Sequence, residues 1–379
     1  MKYVTIVNRH YPPSPGITGE AAWDLAKHLI ECHQITPIII HISRNYHGGG
    51  AIRQPIGEIH SIRTIYKGEN EGLKILAGFC DGLFLIFKTL LVKKGPVIVM
   101  TSPPLLPFWA NWFFKLFQTK WLLWSMDLFP EGFVATNTIS KNNLFYRFFQ
   151  KASYTWSPQK IISLGENQAN YLNKLYQKNL ETIVLPCGVL INQEKDNQPP
   201  EWKKDDNKIY FGYCGNLGDP HSEDFLIDFI KHINPSEHHL ILAIYGKKAN
   251  KVLEFAKNIM GITILTNVPR AQLHFIDIHL VSLQAEWTHI AVPSKAVSSV
   301  CAGGAILFCG KKESDTWHLL QDAAWHIDIE KNINEEVKCF FENISIQAMQ
   351  SKKHNAEILS QNLQTIMKNA YSQIANEAE

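Results

Sequence analysis

The chain has 379 residues, 45% of them apolar and 19% charged, with 37 Lys and Arg against 35 Asp and Glu for a net charge of +2. That length supports two domains with a core each, and that composition excludes a disordered chain. The near-neutral balance excludes nucleic-acid binding driven by bulk charge.

In chain order, residues 3–7 predict a strand and residues 20–31 an amphipathic helix, with Ala22, Leu25, Ala26 and Leu29 on one face and Glu20 in its first turn. Between them runs Tyr11-Pro12-Pro13-Ser14-Pro15-Gly16-Ile17-Thr18-Gly19, preceded by His10. Further strands are predicted at residues 37–42, 97–101, 121–124, 160–164 and 182–185. Two apolar stretches, 76–92 and 107–124, are interrupted by Asp81 and Lys88 and by Lys115 and Lys120, so neither is a clean spanning segment. The plainer reading is buried helices against a sheet; the sharper one is a membrane-surface patch on the first domain. Residues 191–206 are polar and proline-bearing, which is linker chemistry. Strands resume at 209–213, 240–245, 262–265, 278–281, 305–308 and 324–327.

Short apolar strands alternating with helices predict an α/β chain of two Rossmann-like, doubly wound domains. The expected boundaries are 1–190 and 191–350, with a C-terminal helix, 351–379, packing back on the N-terminal domain. The seven cysteines form no Cys-x-x-Cys pair and read as free thiols of a reducing compartment. The first ten residues have too short an apolar run for a signal peptide, so the expected location is cytoplasmic, with the inner face of the membrane as a further option.

Two glycine turns stand at strand-to-helix junctions, Gly16 to Gly19 and Gly215-Asn216-Leu217-Gly218. Glycine lets backbone approach a ligand closely, and a helix N-terminus offers free N–H groups to a phosphate. A lone Gly-x-x-Gly also serves simple chain reversal. Val292-Pro293-Ser294-Lys295 opens a small-residue helix, where Ser294 can cap the helix or bond a phosphate oxygen and Lys295 can supply positive charge. Arg270 and Lys247 come next as basic candidates. No zinc-like spacing and no credible Asp-x-Asp loop is present, so no metal is expected.

Six motifs in order resemble the GT-B glycosyltransferases, and within them the bacterial polysaccharide-type branch of the large retaining family 4. They are the Tyr-Pro-Pro-x-Pro-Gly-x-x-Gly stretch, Thr101-Ser102-Pro103-Pro104, Asp127-Leu128-Phe129-Pro130-Glu131, the turn at 213–218, the segment 277–283, and Pro293-Ser294-Lys295. The resemblance covers nearly the whole chain. It implies two domains facing a central cleft, a nucleotide diphosphate sugar as donor substrate, a hydroxyl acceptor (a glycan, a lipid-linked glycan or a small metabolite), retention at the anomeric carbon, and no cofactor. It implies catalytic roles for Asp127, Glu131 and Lys295. Gly16, Gly19, Gly215, Asn216, Gly218, Arg270, Ser294, Lys295 and Ser298 would bind the donor, and His10, Glu286 and His289 the sugar or acceptor. The chain departs from the family in two places. Asn216 and His221 stand where an Arg and a Lys are usual, and Ile290 and Ser298 stand where a pair of glutamates is usual. Those departures keep two rivals open: a catalytically silent scaffold on the same fold, and a nucleotide-sugar 2-epimerase.

Overall fold

The structure, a computed structural model, describes residues 2–14, 16–43, 53–66, 71–190, 195–204 and 206–378. The chain divides into two compact units, Met1–Leu185 with Ile366–Glu379, and Pro186–Thr365.

In the first unit, β1 (Lys2–Val7), β2 (Ile35–Ser43), β3 (Glu58–Arg63), β4 (Val97–Met100), β5 (Trp121–Trp124), β6 (Lys160–Ser163) and β7 (Glu181–Val184) form one parallel sheet in the order β3-β2-β1-β4-β5-β6-β7. The central strands are continuous β-branched and apolar runs because both faces are covered; Ile6, Ile40, Val99 and Leu122 are fully buried. Each such side chain stabilises the fold by about 1.5–3 kcal/mol. The helices are α1 (Ile17–His33), α2 (Glu71–Val92), α3 (Leu106–Leu116), α4 (Glu131–Ala135), α5 (Leu144–Ser153) and α6 (Glu166–Tyr176).

The second unit repeats the plan. β8 (Ile209–Asn216), β9 (His238–Tyr245), β10 (Ile262–Ile264), β11 (Ile278–Ser282), β12 (Ala305–Gly310) and β13 (Ala324–Asp328) form a parallel sheet in the order β10-β9-β8-β11-β12-β13. Its helices are α7 (Glu223–Lys231), α8 (Ala249–Ala256), α9 (Ser294–Cys301), α10 (Asp315–Leu320), α11 (Ile333–Asn343) and α12 (Ile346–Asn376). Phe211, Phe225, Phe229, Leu240 and Leu242 lie at the centre of its core.

The unit boundaries fall elsewhere than expected, while the tail is helical from Ile346 as its sequence pattern indicates. The first unit ends at Leu185 rather than at residue 190. The linker's residues 191–194 and 205 lie outside the described residues. The C-terminal helix starts at Ile346, and only its part from Ile366 onward belongs to the first unit. There the Tyr371 ring lies tilted at 5.2 Å from His28 and Glu377 pairs with Lys160 at 2.6 Å, whereas Lys353, earlier in the same helix, pairs with Asp277 of the second unit at 2.7 Å. The edge strand β3 carries no apolar run: Glu58-Ile59-His60-Ser61-Ile62-Arg63 alternates and is half-exposed throughout, so its pairing with β2 is visible only in the fold.

Candidate functional site

In each sheet the strand order reverses beside the first strand of the unit, between β1 and β4 and between β8 and β11. Ligands of open parallel sheets bind outside the carboxyl ends of the strands at that reversal. The candidate residues cluster at these ends, in one half-site per unit.

In the second unit, β8 runs into Gly215-Asn216-Leu217-Gly218. Gly215 holds φ at +117°, a conformation open to glycine and strained for other residues. Lys295, in the first turn of α9, reaches back to this turn. Its ammonium donates to the Asn216 carbonyl at 2.6 Å and to the Tyr213 hydroxyl at 2.8 Å, and lies 4.2 Å over the Tyr213 ring. An ammonium has three N–H bonds, so one is left for an anionic ligand. Lys295 is half-buried, and desolvation lowers its pKa to about 7; the solvent contact it keeps favours the charged form. The neighbouring Cys214 thiol, raised by burial to about 12, stays neutral and offers no counter-charge.

Other expected residues are placed differently. Ser294 does not cap α9: Pro293 is the N-cap residue and no side chain caps that end. Ser298 shares the Lys295 face of the helix, but its hydroxyl bonds back to the Ser294 and Lys295 carbonyls at 3.0 and 3.2 Å. Ile290 is buried. His221 supplies no positive charge. Its Nδ1–H donates to the Ser282 carbonyl at 2.6 Å, and burial, with the Lys295 ammonium nearby, holds its pKa well below the ordinary value. That tautomer leaves Nε2 as an acceptor. Lys247 is exposed and pairs with Asp219 at 3.1 Å. Lys248 ties the loop after the turn, donating to the His221 carbonyl at 2.6 Å and pairing with Glu223 at 3.3 Å. Arg270 opens the short 3-10 segment after β10, the edge strand two places from β8. The exposed Glu286 and half-buried His289 follow β11, at the reversal.

Two glycines that sequence reasoning missed shape this half-site. Gly246, with φ +106°, ends β9 where a Cβ would run into the Asn216 side chain and sit 3.3 Å from the Leu217 amide. Gly188, with φ +92°, packs where a Cβ would run into the Ser294 carbonyl, under the start of α9. The sequence signal for both was weak: a single glycine just after a strand. Gly188→Ala combines left-handed strain with backbone overlap. It is expected to lower stability by about 1–3 kcal/mol, read as a fall in melting temperature. An unchanged melting temperature would show that this contact yields freely.

In the first unit, Gly16 is the N-cap residue of α1, and with no side chain of its own it makes no side-chain cap there. Gly16 itself is nearly extended and not left-handed, which corrects one reason for a glycine there. Packing at Gly19 is tight: a Cβ would lie 3.1 Å from the His10 carbonyl carbon. Asn8 fixes the loop, donating to the His10 carbonyl at 2.7 Å and to the Thr18 hydroxyl at 3.2 Å. His10 is half-buried beside Gly16.

Asp127 follows β5 and is exposed, with no hydrogen bond or ion pair among the described residues. Protein packed around the open carboxyl raises its pKa to about 6. Gln168 sets its position from below. Its Oε1 accepts from the Ser125 hydroxyl at 2.7 Å and the Leu164 amide at 3.0 Å, and its Nε2 donates to the Met126 carbonyl at 2.9 Å. No sequence pattern marks Gln168 for that task. Glu131 is corrected. It is 2% exposed, with Oε1 bonded by Gln150 at 3.2 Å and Oε2 by the Tyr154 hydroxyl at 3.0 Å, and burial raises its pKa. It joins α4 to α5 inside the unit and presents no carboxylate to solvent. Among the described residues no group of three His, Cys, Asp or Glu is placed to hold a metal ion.

No family model matches the chain. It is 22% identical over 258 residues to WbjE of Pseudomonas aeruginosa, described as a probable glycosyltransferase, and the match spans 63% of this chain and 64% of that protein. Sucrose-phosphate synthase from Thermosynechococcus elongatus superposes with a TM-score of 0.71 at 12% identity, covering 99% of each chain. A trehalose-6-phosphate protein from E. coli bound with UDP-2-fluoro glucose superposes with a TM-score of 0.68 at 12% identity, covering 100% of this chain and 99% of that one. With its two parallel sheets and alternating helices, the chain has the α/β fold of the GT-B glycosyltransferases.

Proposed function

We propose that the chain transfers a sugar from a nucleotide diphosphate donor to a hydroxyl acceptor, with retention, as the polysaccharide-type branch of family 4 does. The observation that carries this reading is the Lys295 ammonium, held on the turn after β8 with one N–H bond left for an anion. Support comes from the relative described as a probable glycosyltransferase and from the neighbour bound with UDP-2-fluoro glucose. In this reading the turn amides and Lys295 hold the donor diphosphate. The bond from the anomeric carbon to the diphosphate breaks as its charge grows against the ammonium. The acceptor oxygen bonds the same carbon on the same face, and its proton passes to the departing diphosphate. Asp127 accepts a hydrogen bond from the incoming acceptor. Because Lys295 and the amides meet the leaving charge, turnover is expected to survive EDTA; loss on chelation with recovery in manganese would overturn this part.

The test is a panel of UDP-, GDP-, ADP- and dTDP-sugars, read as release of nucleoside diphosphate, with calorimetry for binding. Release from one of them is expected. Binding without release would identify a silent scaffold, and binding of none would end the proposal.

The Lys295 amine also predicts a proton signature. Its pKa of about 7 means that the ammonium is present below that pH and lost above it. A bound diphosphate favours the charged form, so binding at about pH 8 takes up close to one proton. Affinity weakens by up to about tenfold per pH unit above neutrality. Calorimetry in buffers of different ionisation enthalpy measures the uptake, and equal proton balance in wild type and Lys295→Met would exclude Lys295 as its source.

A further inference from the structure

Helices α2, α3 and α5 of the first unit form a continuous outer layer over one aromatic cluster. Phe79 of α2 meets Trp109 of α3 at 4.6 Å and Phe149 of α5 at 5.6 Å. Phe87 of α2 meets Phe113 of α3 at 4.9 Å. The outward side of this layer is also apolar. Along α2, Leu73, Leu76, Phe84, Phe87 and Leu91 fall on a single helical stripe and all are exposed, Leu91 at 82%. At the end of α3 stand Leu116, 72% exposed, and Phe117; on α5 stand Leu144, 80% exposed, Phe145 and Phe148. An exposed apolar surface of this extent marks an interaction face.

Charge identifies the partner. From the start of α2 to the end of α5, residues 71–153, the sequence carries nine basic and four acidic residues, although the whole chain is only +2, and one of the bases, Lys94, is paired with Glu58. Of the acids, Asp81 and Glu131 are buried and Asp127 is exposed. Lys115 on α3 and Arg147 and Lys151 on α5 are exposed on the helices that carry the apolar side chains, with Lys120 and Lys141 in the adjoining loops. Exposed leucine and phenylalanine among exposed lysine and arginine fit an anionic lipid surface, which takes apolar side chains below its headgroups and cations at them.

The arrangement lies on a bilayer and does not cross one. α2 is long and apolar enough to span, with a mean hydropathy of 2.0 over Ile75–Val92, yet 39% of that window is buried in the protein. Leu85 and Ile86 are fully buried, and Asp81 accepts from the Thr64 hydroxyl at 2.8 Å and lies 3.7 Å from the Arg9 guanidinium. Removing α2 into lipid would strip these partners from a buried carboxylate. We propose that the outer face of α2, α3 and α5 docks the first unit on an anionic membrane surface, an inference independent of glycosyl transfer.

The test is flotation of the full chain with vesicles of phosphatidylcholine alone and of phosphatidylcholine with phosphatidylglycerol, at low and high salt. Binding to the mixed vesicles is expected, weakening with salt. The variant Leu91→Ser/Leu116→Ser/Phe148→Ser changes only exposed side chains and should bind roughly tenfold or more weakly. Lys115→Glu/Lys151→Glu should lose binding to the anionic vesicles in particular. Met260→Ser, a change at an exposed apolar side chain of the second unit, should bind as wild type does. Absence of flotation by wild type, or equal binding to neutral vesicles, would overturn the proposal. So would a wild-type dimer that the triple serine variant dissociates without any vesicle binding, which would assign the face to a second copy.

Discussion

Lys295→Ala is expected to weaken nucleotide diphosphate binding and turnover about ten- to hundredfold, the equivalent of roughly 1.5–3 kcal/mol for a charge-assisted contact. The expectation rests on placement. The ammonium is fixed between the Asn216 carbonyl and the Tyr213 hydroxyl at the strand-order reversal of the second sheet. Lys247→Ala is the matched control, because Lys247 is 66% exposed and pairs with Asp219 at the surface. Such an exposed pair contributes about 0–1 kcal/mol. Because the substitution also removes the hydrogen bonds to Asn216 and Tyr213, the melting temperature is measured alongside, so that lost binding is separated from lost folding. Equal, small effects of the two substitutions would remove Lys295 from the donor site.

Asp127→Asn is expected to lower turnover about ten- to hundredfold, the scale of losing a charge-assisted hydrogen bond to the acceptor. It should also leave the fold as stable or more so above about pH 6. The folded pKa is raised from 3.8 to about 6, so the folded state binds the proton more tightly than the unfolded one. Ionisation therefore weakens the fold as pH rises through that window, and the amide escapes the penalty. With Lys295 at about 7 and Asp127 at about 6, carboxylate and ammonium coexist best in a narrow range. The pH profile of kcat/KM, which reports the free enzyme, should be bell-shaped, and Asp127→Asn should remove its acidic limb. A variant with full activity and an unchanged acidic limb would leave Asp127 without a role.

Most strands were legible in the sequence because a strand buried on both faces is a local apolar run. Trp121-Leu122-Leu123-Trp124 was read with the bounds it has in the fold, and β1, β6 and β11 within a residue or two. The two glycine turns and the Pro-Ser-Lys segment were likewise visible, because turn chemistry is written in neighbouring residues. Tertiary structure decided what depends on distant partners. Lys295 meets Tyr213 across 82 positions of chain, a contact that brings this lysine to the turn. Glu131 and Asp127 look alike in sequence; packing of Gln150 and Tyr154 encloses one, while the other stays open. The edge strand β3 escaped notice because an edge needs no continuous apolar face. The stretches 76–92 and 107–124 are compatible in sequence with buried helices or with a surface patch, and in the fold their outer sides are bare. Hydrophobicity is a property of the residue, but whether it is used inside the fold or offered outward is settled only by which helices pack over which face.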